Sequence, residues 1–369
     1  MKLQTQRSFL PQLAFFFSIL FGLTSAHTSM ASPSSKPSSQ PAPSKKVAAK
    51  GWVDGNLKKA LQLANGKKPI LMQVHAHWCA PCNQLTYEVI DTPAGRNLLK
   101  KAVGIRVDFE TADGREVTKK YSVLGLPTTL VLTPKGEEIG RVLGYGGSRF
   151  YISAISDALA GRKGFKAVEA AYKKNPKNSR MKLAYASALL HKGKIAQAKT
   201  MLSSMMVKGN PLAGSAFRIW GRWLVRVQRR GEEGAKHFEK AVEFFKGTRY
   251  ANGYRYWAAK GWQIAGKPAK AIAQFNAWIE QEPKNIWAKF AKVDFMVHHK
   301  YPAKQTSALL KGLLKRATNN AWVYYLLAQV EEQANNKAAA KAAIQKALKL
   351  HPSSAMYKYY AQRLNGKKH

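Results

Sequence analysis

Two cysteines occur in the 369 residues, Cys79 and Cys82, and both fall in Trp78-Cys79-Ala80-Pro81-Cys82, directly after the apolar run Pro69 to Val74. Thiols at this spacing close into a disulfide with almost no loop to order, so the pair can cycle between oxidised and reduced forms. The same spacing makes half of a zinc site. No second Cys-x-x-Cys pair exists, however, and only His75 and His77 stand near enough to complete four ligands. Two histidines on a strand and two cysteines on the helix after it converge poorly on a tetrahedral ion, so neither a metal nor any cofactor beyond the disulfide is expected. A purely structural bridge suits the pair as badly, because so small a loop adds little stability.

The position of the thiols sets their roles. A helix is expected to begin at the cysteines, which leaves Cys79 facing unpaired backbone N–H groups and the positive end of the macrodipole; both favour its thiolate. Cys79 is therefore the expected nucleophile, and Cys82, one turn deeper, the resolving thiol. Pro81 suits a first helical turn, where its missing N–H costs nothing.

The surrounding elements read as α/β over residues 51–162. Trp52, Leu57, Ala60, Leu61 and Ala64 recur at helical spacing until Gly66 breaks the run, and a strand follows over Ile70 to His75. Val103 to Phe109 makes the next strand and Glu116 to Tyr121 a short helix. Thr129–Leu132 and Ile139–Leu143 pair as a hairpin across Pro134-Lys135-Gly136. Ser148, a good N-cap, opens a closing helix through Ala160.

Strand, Trp-Cys-x-x-Cys, helix, and then Val123-Leu124-Gly125-Leu126-Pro127-Thr128 before the hairpin together resemble the thioredoxin superfamily. Lys68-Pro69-Ile70, Gly125-Leu126-Pro127-Thr128 and Gly136-Glu137-Glu138 are most similar to the C-terminal domain of the membrane thiol:disulfide interchange reductase. The resemblance implies a cis proline at Pro127 lying against the dithiol and a substrate face shaped by Trp78. It also implies pairing of an extended substrate strand with the backbone near Pro127 and Thr128. The apolar Leu126 and the uncharged Ala80-Pro81 spacing look like the reducing rather than the strongly oxidising relatives. Two departures stand out. Thioredoxins carry a buried Asp six residues before the first cysteine, where this chain has Gln73, which cannot act as a base; and the Lys usual after the second cysteine is Asn83, with His75 and His77 preceding the motif instead. A protonated His77 would favour the Cys79 thiolate, whereas a plain strand-end histidine would not.

Residues 163–369 read as an all-α repeat array. Gly266, Ala271, Phe275 and Pro283 recur in kind as Ala340, Ile344, Ala347 and Pro352, with the same step from Ala to Pro and 69 residues between the prolines. That is two units of about 34 residues, the tetratricopeptide period. Ala198, Leu202 and Pro211, with Gly234, Phe238 and Ala241, extend the pattern upstream. Pro176 closes a partial first unit, and the stretch from Pro283 to Asn319 reads as degenerate. About five helix pairs are expected in a solenoid that binds peptides or proteins rather than catalysing. Arg218, Arg222, Arg226 and Arg229 form a basic stripe interleaved with Phe217, Trp220, Trp223 and Val227. The stripe is either a solvated face or a surface for an acidic partner. Trp257, Trp262, Trp278, Trp287 and Trp322 read as packing.

The N-terminus sets the compartment. Lys2 and Arg7 precede the apolar Leu13 to Leu23, too short a run to span a bilayer, and Thr24-Ser25-Ala26 offers small residues for cleavage. Residues 1–26 are expected to be a signal peptide, with Ser29-Met30-Ala31 as a second cleavage option, and the Ser-, Pro- and Lys-rich residues 27–50 a disordered linker. Export, in a bacterium to the periplasm, puts the dithiol where disulfides persist and where a reductant needs an electron donor, expected to be a membrane protein. Lys and Arg outnumber Asp and Glu by 15 to 10 in residues 51–162 and by 40 to 10 in 163–369, for a net charge of +41 overall. Nucleic acid is disfavoured as the partner of this charge by the export signal and by the lack of a nucleic-acid motif. The reading as a whole is an exported thiol-disulfide oxidoreductase that reduces protein clients, with the repeats recruiting a partner. Its rival is a repeat scaffold or chaperone in which the thioredoxin fold is a docking surface.

Overall fold

The computed structural model describes residues 51–77, 79–162 and 164–365. The expected signal peptide, the linker and Trp78 lie outside the described residues. The described residues divide into two compact units, one holding residues 51–116 with 125–167, the other 117–124 with 168–365.

The first unit is built on a five-stranded mixed sheet in the order β1-β3-β2-β4-β5. Its strands are β1 (Trp52–Asp54), β2 (Ile70–His75), β3 (Val103–Asp108), β4 (Thr128–Leu132) and β5 (Glu138–Leu143). β1, β3 and β2 run parallel, and β4 lies antiparallel to both β2 and β5. Every residue of β2 from Ile70 to Val74 is buried, as a strand covered on both faces requires. The helices are α1 (Leu57–Ala64), α2 (Ala80–Leu85), α3 (Pro93–Leu99), α4 (Ala112–Lys120) and α5 (Ser148–Leu159). A π-helical turn, Thr86–Ile90, continues α2.

Two local expectations are corrected, and one helix is added. Trp52 belongs to β1, not to the first helix: Asn56 ends the strand segment and caps α1 by accepting from the Lys59 N–H, so the helix starts five residues later. Trp52 instead joins a core with Leu71, Leu85, Val89, Val131 and Tyr151. Helix α3, unread in the sequence, opens on Pro93 in its first turn. The cap of α5 is Gly147 at φ 99°, with no side-chain capping bond, and Ser148 is the first helical residue.

The helical array begins with α6 (Phe165–Lys174), whose residues from Val168 belong to the second unit. Five pairs follow: α7 (Ser179–His191) with α8 (Ile195–Ser203), α9 (Ala213–Arg222) with α10 (Gly231–Phe244), α11 (Tyr250–Ile264) with α12 (Pro268–Gln281), α13 (Ile286–His298) with α14 (Ala303–Leu314), and α15 (Ala321–Gln333) with α16 (Lys337–Leu350). α17 (Ala355–Leu364) ends the described residues, and a π turn, Trp223–Val227, extends α9. First helices start at Ser179, Ala213, Tyr250, Ile286, Ala321 and Ala355, 34 to 37 residues apart, which is the tetratricopeptide spacing. Ala198, Phe238, Ala271, Phe275 and Ala340 are fully buried, as the small-and-large pattern requires. The stretch that reads as degenerate is a regular pair. Thr306 occupies its small position, fully buried, with its hydroxyl donating to the Pro302 carbonyl at 3.0 Å, and Leu310 fills the large one. No described helix is long and apolar enough to cross a membrane.

Candidate active site

Strand β2 carries the chain through the core and releases it at His75, so the next turn emerges at the end of the sheet. Cys79 is the N-cap of α2, and its carbonyl accepts from the N–H groups of Cys82 at 2.9 Å and Asn83 at 3.1 Å. Pro81 sits in the first turn. The two sulfurs form a disulfide, with Cα atoms 5.2 Å apart. Cys79 is 5% exposed and Cys82 1%, so both are buried and the N-cap residue is the slightly more exposed of the two.

The loop before β4 closes over the pair. The Leu126–Pro127 peptide is cis, and Leu126 and Phe109 pack against Ala76, Cys79 and Cys82. Leu126 is half-buried, while Pro127 and Thr128 are buried. The Thr128 hydroxyl donates to the Gly125 carbonyl at 2.7 Å and the Pro127 carbonyl accepts from the Gly144 N–H at 2.8 Å. Both groups thus serve the loop itself, and Leu126 is the residue of the three with side chain left open beside the disulfide.

Neighbouring polar groups divide sharply. Gln73 is fully buried on β2, opposite Arg106 and Thr129, and neither end of its amide has a hydrogen-bond partner among the described residues. Thr129 and Tyr151 share a hydrogen bond of 2.7 Å, and burial pushes the Tyr151 phenol up. Burial, reinforced by the positive charge of Arg106, holds the His75 imidazole down at about 4, so it is neutral at pH 7. His77 is exposed, and its carbonyl accepts from the Asn83 side chain at 3.0 Å. Asn83, which the sequence marks only as a departure, therefore braces the segment ahead of Cys79. Glu88 on the π turn went unread: it accepts from Tyr145 at 2.6 Å and from Gln84 at 2.8 Å, tying the helix that carries the cysteines to the end of β5. Among the described residues no group of three or more His, Cys, Asp or Glu side chains is arranged to hold a metal ion.

Residues 56–157 match the family described as a thioredoxin-like domain. The N-terminal unit is thioredoxin-like. Over 94 residues, 24% of this chain, the sequence is 33% identical to the thiol:disulfide interchange protein DsbD of Cronobacter sakazakii, of which it covers 16%. The chain thus spans about a sixth of the length of that relative. Among solved structures, a thioredoxin from Thermus thermophilus is similar over 30% of this chain and 88% of its own, at 24% identity and a TM-score of 0.27. A tetratricopeptide repeat protein from Parabacteroides merdae is similar over 59% of this chain and 80% of its own, at 16% identity and a TM-score of 0.40.

In the helical unit the arginine stripe divides: Arg229 is exposed, as on a solvated face, and the other three are not. Arg218, Arg222 and Arg226 are half-buried, and the guanidinium groups of Arg222 and Arg226 lie over the ring of Trp257 at 4.7 and 5.0 Å from its centroid. Burial, with the positive charges of Arg226 and Arg218, pushes Arg222 well below the ordinary arginine range. Trp257 is 5% exposed and packs with Phe217, Phe238 and Tyr254, as its reading as a core residue requires.

Proposed function

We propose that this protein is an exported thiol-disulfide oxidoreductase that reduces client disulfides with Cys79 and Cys82 and holds its clients through the repeat array. The observation that carries the reading is the disulfide at the start of α2 with Leu126 of the cis Leu126–Pro127 loop packed against it, Cys79 being the N-cap and the more exposed residue of the pair. In the reduced protein the Cys79 thiolate attacks one sulfur of a client disulfide, forming a mixed disulfide and expelling the other client sulfur as a thiolate that takes up a proton. Cys82 loses its proton and attacks the Cys79 sulfur. The Cys79–Cys82 disulfide forms, and the second client thiol leaves. Two electrons pass to the client in total, with one proton from Cys82 and one from solvent. A donor protein, which we place in the membrane because an exported reductant needs an electron supply from outside its compartment, then returns them to Cys79–Cys82.

Leu126 and the uncharged Ala80-Pro81 turn support the reducing direction, since nothing charged in the turn itself stabilises a thiolate strongly enough to make the disulfide a powerful oxidant. Export rests on residues 1–26. Cys82→Ser expressed in the native host should accumulate mixed disulfides with clients, while Cys79→Ser should trap none. Trapping by Cys79→Ser instead would reverse the roles, and trapping by neither would favour the scaffold reading.

A further inference from the structure

Tyr145 stands where three elements of the thioredoxin-like unit meet. Strand β5 ends at Leu143, the chain turns at Gly144 with φ 78°, and Tyr145, 7% exposed, joins one core cluster with Leu85 and Val89 from the segment that follows the cysteines. Its hydroxyl donates to Glu88 at 2.6 Å, and the other oxygen of Glu88 accepts from the Gln84 side chain at 2.8 Å. The side chain of Ser148, the first residue of α5, bonds the same hydroxyl. The Tyr145 ring lies 6.1 Å from that of Tyr151, whose own hydroxyl bonds Thr129 on β4. One residue before Tyr145, the Gly144 N–H donates to the Pro127 carbonyl at 2.8 Å. Gly144 and Tyr145 therefore join the loop that packs Leu126 on Cys79 and Cys82 to the helix that holds the two sulfurs.

We propose that Tyr145 and Glu88 are positioning residues for the exchange step: their hydrogen bond fixes the Leu126–Pro127 loop relative to Cys79, so that a disulfide carried in a polypeptide is met by both at once. The role rests on the reading of Cys79 and Cys82 as the exchanging pair and adds the kind of disulfide that the site favours. Glu88 does not act as a base, since it lies six residues beyond Cys82 and both of its oxygens are engaged. A hydrogen bond from a phenol to a carboxylate is charge-assisted and stronger than one between neutral groups. Burial, with the bond to Glu88, pushes the Tyr145 phenol up, so it stays a donor at any pH where thiols exchange. Glu88 is carried on the π turn Thr86–Ile90, a winding that is rare in general and frequent at functional sites. A small disulfide needs only the sulfur of Cys79. A polypeptide must also fit its chain past Leu126, and a misplacement of about 1 Å in such a fit costs up to about a hundredfold in rate.

The test uses the full chain, reduced beforehand, and compares its rate on insulin with its rate on hydroxyethyl disulfide. Tyr145→Phe, which keeps the ring, and Glu88→Ala, at an exposed position, should each slow insulin reduction by about fivefold or more and hydroxyethyl disulfide reduction by less than about twofold. Glu88→Gln, whose amide can still pair with Tyr145 and Gln84, should stay within about twofold of the parent on both. Tyr145→Phe combined with Glu88→Ala should be no slower than the worse single variant, because the two changes remove one interaction. Equal losses on the two disulfides, losses that multiply in the double variant, or insulin reduction at the parent's rate in Glu88→Ala would each overturn the role. Should Tyr145→Phe fail to fold, Glu88→Ala and its rescue by Glu88→Gln decide the matter alone. A parent chain that reduces neither disulfide would overturn the reading of Cys79 and Cys82 as the exchanging pair, and this role with it.

Discussion

The two units concentrate their chemistry in opposite ways. In the thioredoxin-like unit the reactive atoms come from one short motif, and what surrounds them is apolar: Ala76, Phe109 and Leu126 enclose Cys79 and Cys82. In the helical unit no single motif carries reactivity, and the distinctive group is a set of cations drawn from two helices onto a buried ring. The first arrangement can do covalent chemistry on any accessible disulfide, because the thiols themselves make and break bonds. The second makes and breaks no covalent bond and acts only through charge and packing.

The largest expected effect tests that contrast. Cys79→Ser should bring insulin disulfide reduction down to the uncatalysed rate, a loss of several orders of magnitude. Gly261→Ala, inside the array, should leave that rate within about twofold of the parent. Its added methyl would stand 2.7 Å from the Ala235 nitrogen and from the Gly231 carbonyl oxygen, both backbone atoms of the neighbouring helix, so the array should lose about 1–3 kcal/mol of stability in urea unfolding. A parallel drop in reduction would show that the two parts do not work separately.

A subtler change sharpens the account of the dithiol's surroundings. Gln73→Asp places a carboxyl where the amide has no hydrogen-bond partner among the described residues, so burial will raise its pKa above the unfolded value of about 3.9. The native state then holds its proton to higher pH than the unfolded chain does. Relative to the parent, the variant should lose stability as pH rises from about 4 until the buried acid ionises. The release of client by Cys82 should acquire a new pH dependence, measured by stopped flow on a preformed mixed disulfide. An unchanged release profile would show that this position does not act on the resolving step.

The smallest effect is carried by His75. Its folded pKa of about 4 lies below the ordinary value of 6.5, so the unfolded chain takes up a proton first as pH falls. The stability contributed by the neutral imidazole is complete above about 6.5 and is lost between there and 4. His75→Gln should flatten the acid limb of the stability profile over that window, with no change at pH 8.

Much of this was legible from residue types alone. Cys79 and Cys82 announce their chemistry through spacing and the β2 run its strand through unbroken apolar residues, whereas the cis bond before Pro127 followed only from the resemblance to thioredoxins. Trp52 misled because an apolar residue at helical spacing looks the same whether it starts a helix or ends a strand, and the deciding residue was the cap, Asn56. Thr306 hid a helix pair, since a threonine satisfied by its own helix can stand where alanine is expected. Glu88 and Tyr145 are 57 residues apart, and no local signal joins them. The basic stripe was visible as a periodicity, yet its meaning depends on Trp257, a ring that its burial marks as packing and that its neighbours mark as a cation seat.

The central claim, that the Cys79–Cys82 pair donates electrons to clients, is tested most directly by its reduction potential, measured by equilibration with glutathione or dithiothreitol buffers. The account predicts a value near that of a thioredoxin, about −270 mV, or at least below the roughly −180 mV of an isomerase. A value near −120 mV, where strongly oxidising dithiols lie, would contradict it and make the protein a donor of disulfides.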